Sequence, residues 1–85
     1  MSHTEARLRA VAAQLGSGSL EDVNRVWGLL RGWDDVKKLY HSHPAQLRAI
    51  VSFARMKAKG DLAGGEAGYA EMVGKVVEVA VRRER

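Results

Sequence analysis

The residues with the clearest chemical meaning are six basic side chains within residues 36–60, a window that contains no acidic residue. They are Lys37, Lys38, Arg48, Arg55, Lys57 and Lys59. The rest of the chain carries eight basic and ten acidic side chains, so the whole formal charge of +4 arises from this window. Charge concentrated in this way creates a local positive potential, which attracts phosphates, acidic protein surfaces or anionic lipid headgroups.

Two interpretations of this window stay open. In the first, the six cations bind nucleic acid or a nucleoprotein complex, because a basic stripe matches a phosphate backbone without base contacts. In the second, the chain is a helical protein–protein interaction module or small inhibitor that docks on an acidic partner surface. A solvated basic face that only maintains solubility is the plain alternative to both. Membrane binding is disfavoured, because the apolar side of residues 44–59 resembles a core face rather than an insertion face.

Catalytic and metal-binding chemistry is not indicated. His41 and His43 supply two ring nitrogens, but zinc takes three or four protein ligands and the chain has no cysteine. The candidate nucleophiles stand in no activating motif; they are Ser17, Ser19, Ser42 and Ser52. The nine glycines form neither a dinucleotide-binding nor a P-loop pattern. We therefore expect a non-enzymatic protein with no metal, no cofactor and no small-molecule substrate.

The two tryptophans have different expected roles. Trp27 and Trp33 are six residues apart and would not share a face of one continuous helix. Trp27 lies on the apolar stripe of the second helix and is predicted to be a core residue rather than a base-stacking platform. Trp33 lies at a break between Gly32 and two aspartates. It is predicted to be either a partner contact or a cap over the core.

Apolar periodicity predicts an all-α fold. Thr4 is the expected cap of a first helix. Ser19 and Asp22 resemble a capping box at the start of a second helix over residues 20–31. Residues 34–42 form either a separate third helix or the second half of one kinked helix.

Two longer helices are predicted to follow. Pro44 suits the first position of a helix that runs to Lys59 and ends at Gly60. A last helix over residues 66–83 has a wider apolar arc than a singly packed helix requires. The extra arc predicts either a further internal contact or a homodimer face. The residues assigned to this dimer face are Ala70, Val73, Gly74, Val77 and Val81.

Residues 11–26 also have the outline of a helix-turn-helix motif. Its second helix opens with Glu21 and Asp22, whose carboxylates would repel phosphates at the groove of a duplex. Only Asn24 and Arg25 are candidates for reading bases there. Two core helices joined by a glycine turn are therefore the favoured interpretation.

The length of 85 residues allows one domain over residues 1–85. No uncharged apolar run reaches the roughly 18–20 residues that a bilayer requires, and the absence of cysteine is compatible with a reducing compartment. We expect a cytoplasmic protein built as a single compact bundle of four to five helices. Dimerisation through the C-terminal helix is left open.

Overall fold

A computed structural model describes residues 2–84, which fold into five α-helices and contain no strand. The helices are α1 (His3–Leu15), α2 (Leu20–Leu30), α3 (Asp34–Ser42), α4 (Pro44–Ala58) and α5 (Gly65–Arg83). The radius of gyration is 12.0 Å, which matches the value of about 12 Å for a compact chain of this length. The predicted all-α bundle is confirmed, and α2 and α3 are separate helices. Within residues 2–84, no helix combines the length and apolarity that crossing a bilayer requires.

Side-chain caps fix the starts of the first two helices. The backbone N–H of Glu5 donates to the Ser2 hydroxyl at 3.1 Å, so Ser2 caps α1. The prediction of Thr4 as this cap is wrong, because Thr4 already lies inside the helix. The predicted capping box of α2 is confirmed: the Asp22 N–H donates to Ser19 Oγ at 3.3 Å, and the Ser19 N–H donates to the Asp22 carboxylate at 3.2 Å. That backbone N–H of Ser19 is the main cause of the lowered pKa of Asp22.

Glycine ends α4 by adopting a left-handed conformation. Gly60 has a φ of +78°. Its N–H donates to the Lys57 carbonyl at 3.0 Å, and the Asp61 N–H donates to the Met56 carbonyl at 2.9 Å. This pair of bonds is a Schellman ending, which satisfies carbonyls that the helix itself leaves unpaired. Gly60 thus stops α4 as predicted, although the last helical residue is Ala58 rather than Lys59.

The five helices enclose one apolar core. Every helix contributes buried side chains, α1 contacts each of the other four, and the most extensive interface joins α4 to α5. The core residues are Leu8, Val11, Ala12, Leu15, Val23, Leu30, Val36, Leu39, Leu47, Ile50, Val51, Ala54, Tyr69, Val73, Val77 and Ala80. These are the apolar stripes that the helical period predicts.

The wide apolar arc of α5 serves internal packing. Val73 and Val77 are only 5% and 2% exposed because α5 packs against both α1 and α4. They are therefore not accessible to a second copy, and the predicted dimer face is wrong for these two residues. Val81 packs against the core, Ala70 is exposed, and a Cβ placed on Gly74 would meet no atom within 4 Å. Within residues 2–84, no neighbouring helix makes a close approach at Gly74.

Candidate functional site: a basic groove on α4

An open groove of about 360 Å³ runs along one side of α4. We call it the basic groove; its lining residues are Trp27, Tyr40, Arg48, Val51, Ser52, Arg55, Met56 and Lys59. Positions 48, 52, 55 and 59 recur at the spacing that keeps side chains on one helix face. The predicted alignment of Arg48, Arg55 and Lys59 on one line is therefore confirmed.

Two aromatic side chains from neighbouring helices complete the groove. Trp27 on α2 and Tyr40 on α3 stack with ring centroids 6.3 Å apart and an angle of 27° between their planes. Both rings are half-buried and pack against the core. Trp27 is thus a core-packing residue as predicted, but it also contributes surface to the groove. The sequence did not indicate this second role, because α2 and α3 meet α4 only through tertiary packing.

Both arginines of the groove are held by polar neighbours. Arg48 Nε donates to the Tyr40 hydroxyl at 3.0 Å, with its guanidinium carbon 5.5 Å from the Tyr40 ring centroid. Arg55 Nε donates to Asn24 Oδ1 at 2.9 Å. An arginine has five N–H donors, and these bonds use only Nε. The terminal nitrogens of both guanidinium groups therefore remain available for an anion.

Most basic residues of the acid-free window form no ion pair with an acidic side chain of the described residues 2–84. Six ion pairs form within residues 2–84. None of the six includes the five exposed basic residues Lys37, Lys38, Arg48, Arg55 and Lys59. No acidic side chain of residues 2–84 therefore neutralises these five charges at ion-pair distance, as a local positive potential requires.

The basic surface continues past Tyr40. A second open cavity of about 270 Å³ is lined by Arg31, Val36, Lys37 and Tyr40, so Tyr40 belongs to both cavities. Lys37 lines this second cavity beside Tyr40, whereas Lys38 is exposed and lines neither cavity. Arg31 was not predicted as part of the basic surface, because it lies outside the acid-free window of the sequence.

Lys57, the sixth basic residue of the window, lies outside the basic groove. Its side chain is only 18% exposed, and its Nζ lies 2.7 Å from the Glu66 carboxylate. The same Nζ donates to the Gly16 carbonyl oxygen and lies 5.6 Å from the Tyr69 ring centroid. We call these four residues the Lys57 junction. Gly16 ends α1, whose last turn has no basic residue of its own, so Lys57 complements the negative end of that helix dipole.

Tyr69 closes the Lys57 junction from α5. Its hydroxyl donates to the Ala12 carbonyl at 2.6 Å. Burial, with a smaller contribution from the nearby Glu66 carboxylate, raises the pKa of Tyr69 to about 12. A Cβ on Gly16 would lie 2.5 Å from a ring carbon of Tyr69, so only glycine leaves room for the ring at this place.

The remaining candidate residues lie elsewhere. Trp33 is 56% exposed at the start of α3 and lines a cavity of about 130 Å³ next to Ala10 and Leu30. His43 is buried with Nδ1 2.8 Å from Ser42 Oγ, and His41 is exposed. No group of three or more histidine and acidic side chains suited to a metal ion occurs in residues 2–84.

The structure does not favour the helix-turn-helix interpretation. Both candidate base-reading side chains make a contact within the protein: Asn24 Oδ1 accepts from Arg55 Nε, and one terminal nitrogen of Arg25 lies 3.3 Å from the Asp22 carboxylate. Part of their hydrogen-bonding capacity is therefore already used, beside the Glu21 and Asp22 carboxylates that would repel phosphates.

Comparison with known proteins assigns no family: no protein-family model matches the sequence, and no curated protein and no solved structure is significantly similar to it. Function is therefore inferred from the geometry and charge of the basic groove.

Proposed function

We propose that this protein binds nucleic acid, alone or within a nucleoprotein complex, through the basic groove, and that its role is binding rather than catalysis. The observation that carries the proposal is the row of Arg48, Arg55 and Lys59, which share one face of α4 and have no acidic partner within residues 2–84. A purely solubilising surface intersperses charges of both signs. This row carries only one sign.

The dimensions of the row suit a phosphate backbone. Arg48 and Lys59 are 11 residues apart on α4 and its C-cap, which corresponds to about 16 Å along the helix axis at 1.5 Å per residue. One strand of a duplex carries about five phosphates over that length, at about 3.4 Å each. Three cations can therefore contact phosphates at the same time without any base being read.

Salt dependence provides the test. We would measure binding of the wild-type chain to duplex and single-stranded oligonucleotides at about 50 and about 200 mM salt. Three phosphate contacts predict that affinity falls about 20-fold for a single strand and about 40-fold for a duplex across that range. Absence of binding to either oligonucleotide at the lower salt concentration contradicts the proposal.

Docking on an acidic protein surface is the second candidate, and the exposure of Trp33 favours it. Leu29 and Trp33 are 60% and 56% exposed, the highest values among the large apolar side chains of residues 2–84. Aromatic anchors of this kind are enriched in protein interfaces. A polyglutamate chain is a suitable probe of the charge attraction: this candidate predicts that it binds at low salt, and failure to bind there counts against the candidate.

Homodimerisation is a further proposal, supported by the small size of the chain. A domain of about this length buries only about 60–65% of its unfolded surface, and a second copy would cover more. Sedimentation of the free protein is the test. A strict monomer at high protein concentration removes the proposal.

A further inference from the structure

The basic groove combines two surfaces that a phosphate-binding edge alone does not need. Its exposed lining residues include the three cations Arg48, Arg55 and Lys59, whereas its half-buried lining side chains are Trp27, Tyr40 and Met56. Phosphate contacts require only the cations. The aromatic and thioether surface instead suits a flat apolar ring, because nucleobases stack on aromatic side chains and sulfur packs well against rings.

We infer that the basic groove holds one nucleotide unit of a single-stranded nucleic acid, with the base against Trp27 and the adjoining phosphates on Arg48 and Arg55. This inference rests on the proposed function and names the class of nucleic acid. The volume of about 360 Å³ lies at the lower end of the range of roughly 300–1,000 Å³ for small-molecule sites. The groove therefore accommodates a single unit, and the rest of the strand follows the surface outside it.

The hydrogen bonds of the groove preorganise this site. Arg48 is fixed to Tyr40, and Tyr40 stacks on Trp27. Arg55 is fixed to Asn24 of α2. The two guanidinium groups thus keep their positions before a ligand arrives, with their terminal N–H groups unused, so little side-chain entropy is lost on binding.

The site favours single-stranded over double-stranded nucleic acid, because the base must be accessible to contact Trp27. In a duplex each base is stacked between its neighbours, and reaching a pocket requires its extrusion from the helix at a cost in free energy. A single strand presents its bases without that cost. Double-stranded nucleic acid is therefore limited to the phosphate contacts at the rim.

Trp27 itself can report on the proposed contact. The chain has two tryptophans, and Trp33 lies outside the basic groove, so Trp33→Phe leaves Trp27 as the sole fluorophore of this type. This variant would be titrated at about 50 mM salt with a single-stranded oligonucleotide, the same strand built from abasic sites, a duplex and a mononucleotide. The abasic strand is the matched control, because it keeps the phosphates and removes the bases.

We expect the base-containing strand to quench Trp27 fluorescence and to bind about 5- to 150-fold more tightly than the abasic strand, since stacking of one base contributes on this scale. Equal affinity for the two strands without quenching overturns the inference but leaves the proposed function intact. Absence of binding to every ligand overturns both. A duplex or mononucleotide that binds as tightly as the strand overturns the assignment to single-stranded nucleic acid.

A second variant tests the same contact from the protein side. Trp27→Leu should reduce the preference for the base-containing strand over the abasic strand while the salt dependence stays unchanged, because the three cations are untouched. An undiminished preference in a folded variant overturns the role of Trp27. If Trp27→Leu unfolds the protein, the quenching experiment still tests the contact between Trp27 and the base, because it leaves Trp27 unchanged.

Discussion

Lys57 and Lys59 stand two residues apart near the end of α4, yet their surroundings are opposite. Lys57 is mostly buried, pairs with Glu66 and donates to the Gly16 carbonyl oxygen. Lys59 is exposed, lines the basic groove and has no acidic partner within residues 2–84. One lysine joins helices together, whereas the other is available to a ligand.

The difference follows from helix geometry and from tertiary neighbours. Two residues correspond to about 200° of rotation around a helix axis, so Lys57 and Lys59 point to nearly opposite sides of α4. One side faces Gly16, which is 41 residues away in the chain, and Glu66. The other side faces the basic groove. Charge counted along a sequence therefore does not reveal which cations are structural and which are available.

The largest effect on stability is expected at Gly16, on the structural side of this comparison. Gly16→Ala places a Cβ 2.5 Å from the ring of the buried Tyr69. Overpacking of this kind costs about 1–3 kcal/mol of unfolding free energy, which denaturant titration would measure. The control is Gly28→Ala, where a Cβ meets no atom within 4 Å and a helix interior gains about 0.5–1 kcal/mol. A Gly16→Ala variant as stable as the wild type contradicts the tight fit of the Lys57 junction.

The matched substitutions Lys57→Met and Lys59→Met separate the two roles directly. Lys57→Met should lower the unfolding free energy by about 1–2 kcal/mol, because a charged hydrogen bond at the end of α1 is lost. Lys59→Met should change it by no more than about 0.5 kcal/mol and should reduce the salt slope of nucleic-acid binding by about one. Denaturant titration and salt-dependent binding measure the two effects. A loss of stability in Lys59→Met but not in Lys57→Met would contradict the structural role of Lys57 and the ligand-accessible role of Lys59.

A smaller loss of stability than at Gly16 or Lys57 is expected at Tyr69, and it depends on pH. At neutral pH, Tyr69→Phe should cost about 1 kcal/mol, because the Ala12 carbonyl loses one of its two donors and keeps the other, the Gly16 N–H. The pKa of Tyr69 is about 12 in the folded protein and about 10 in an unfolded chain. Stability from the neutral phenol is therefore complete below pH 10 and is lost as the pH rises from about 10 to about 12.

Denaturant unfolding of both proteins over this pH range provides the measurement. The advantage of the wild type over Tyr69→Phe should shrink between pH 10 and 12, because only the wild type has this phenol to ionise. Lysine titrations occur in both proteins and cancel in the difference. An advantage that stays constant up to pH 12 would contradict the raised pKa of Tyr69.

Most helix positions could be predicted from the sequence because capping and apolar periodicity are local. The capping box of Ser19 and Asp22, the start at Pro44 and the stop at Gly60 each depend on a few neighbouring residues. The prediction of Thr4 failed because Ser2 offers the same hydroxyl chemistry two residues earlier. Competing caps of similar quality differ only in details of backbone geometry.

The candidate site was only partly predictable because it is assembled from three helices. The helical period alone places Arg48, Arg55 and Lys59 on one line. It does not indicate that Trp27 and Tyr40 meet beside that line, since this depends on how α2 and α3 pack against α4. Val73 and Val77 were assigned to a dimer face for the same kind of reason: an apolar arc on α5 does not specify that α1 and α4 both cover these two residues.

A double charge reversal in the basic groove tests the central claim most directly. Arg55→Glu with Lys59→Glu would be compared with Lys75→Glu and Arg82→Glu, which change the net charge equally at residues of α5 outside the groove. Affinity for a single-stranded oligonucleotide would be measured at about 50 mM salt, with thermal unfolding as the check on folding. We predict that the groove variant loses measurable binding while the α5 variant retains most of it. Unchanged binding by a folded groove variant, or equal losses in both, would contradict the claim that this edge of α4 is the binding site.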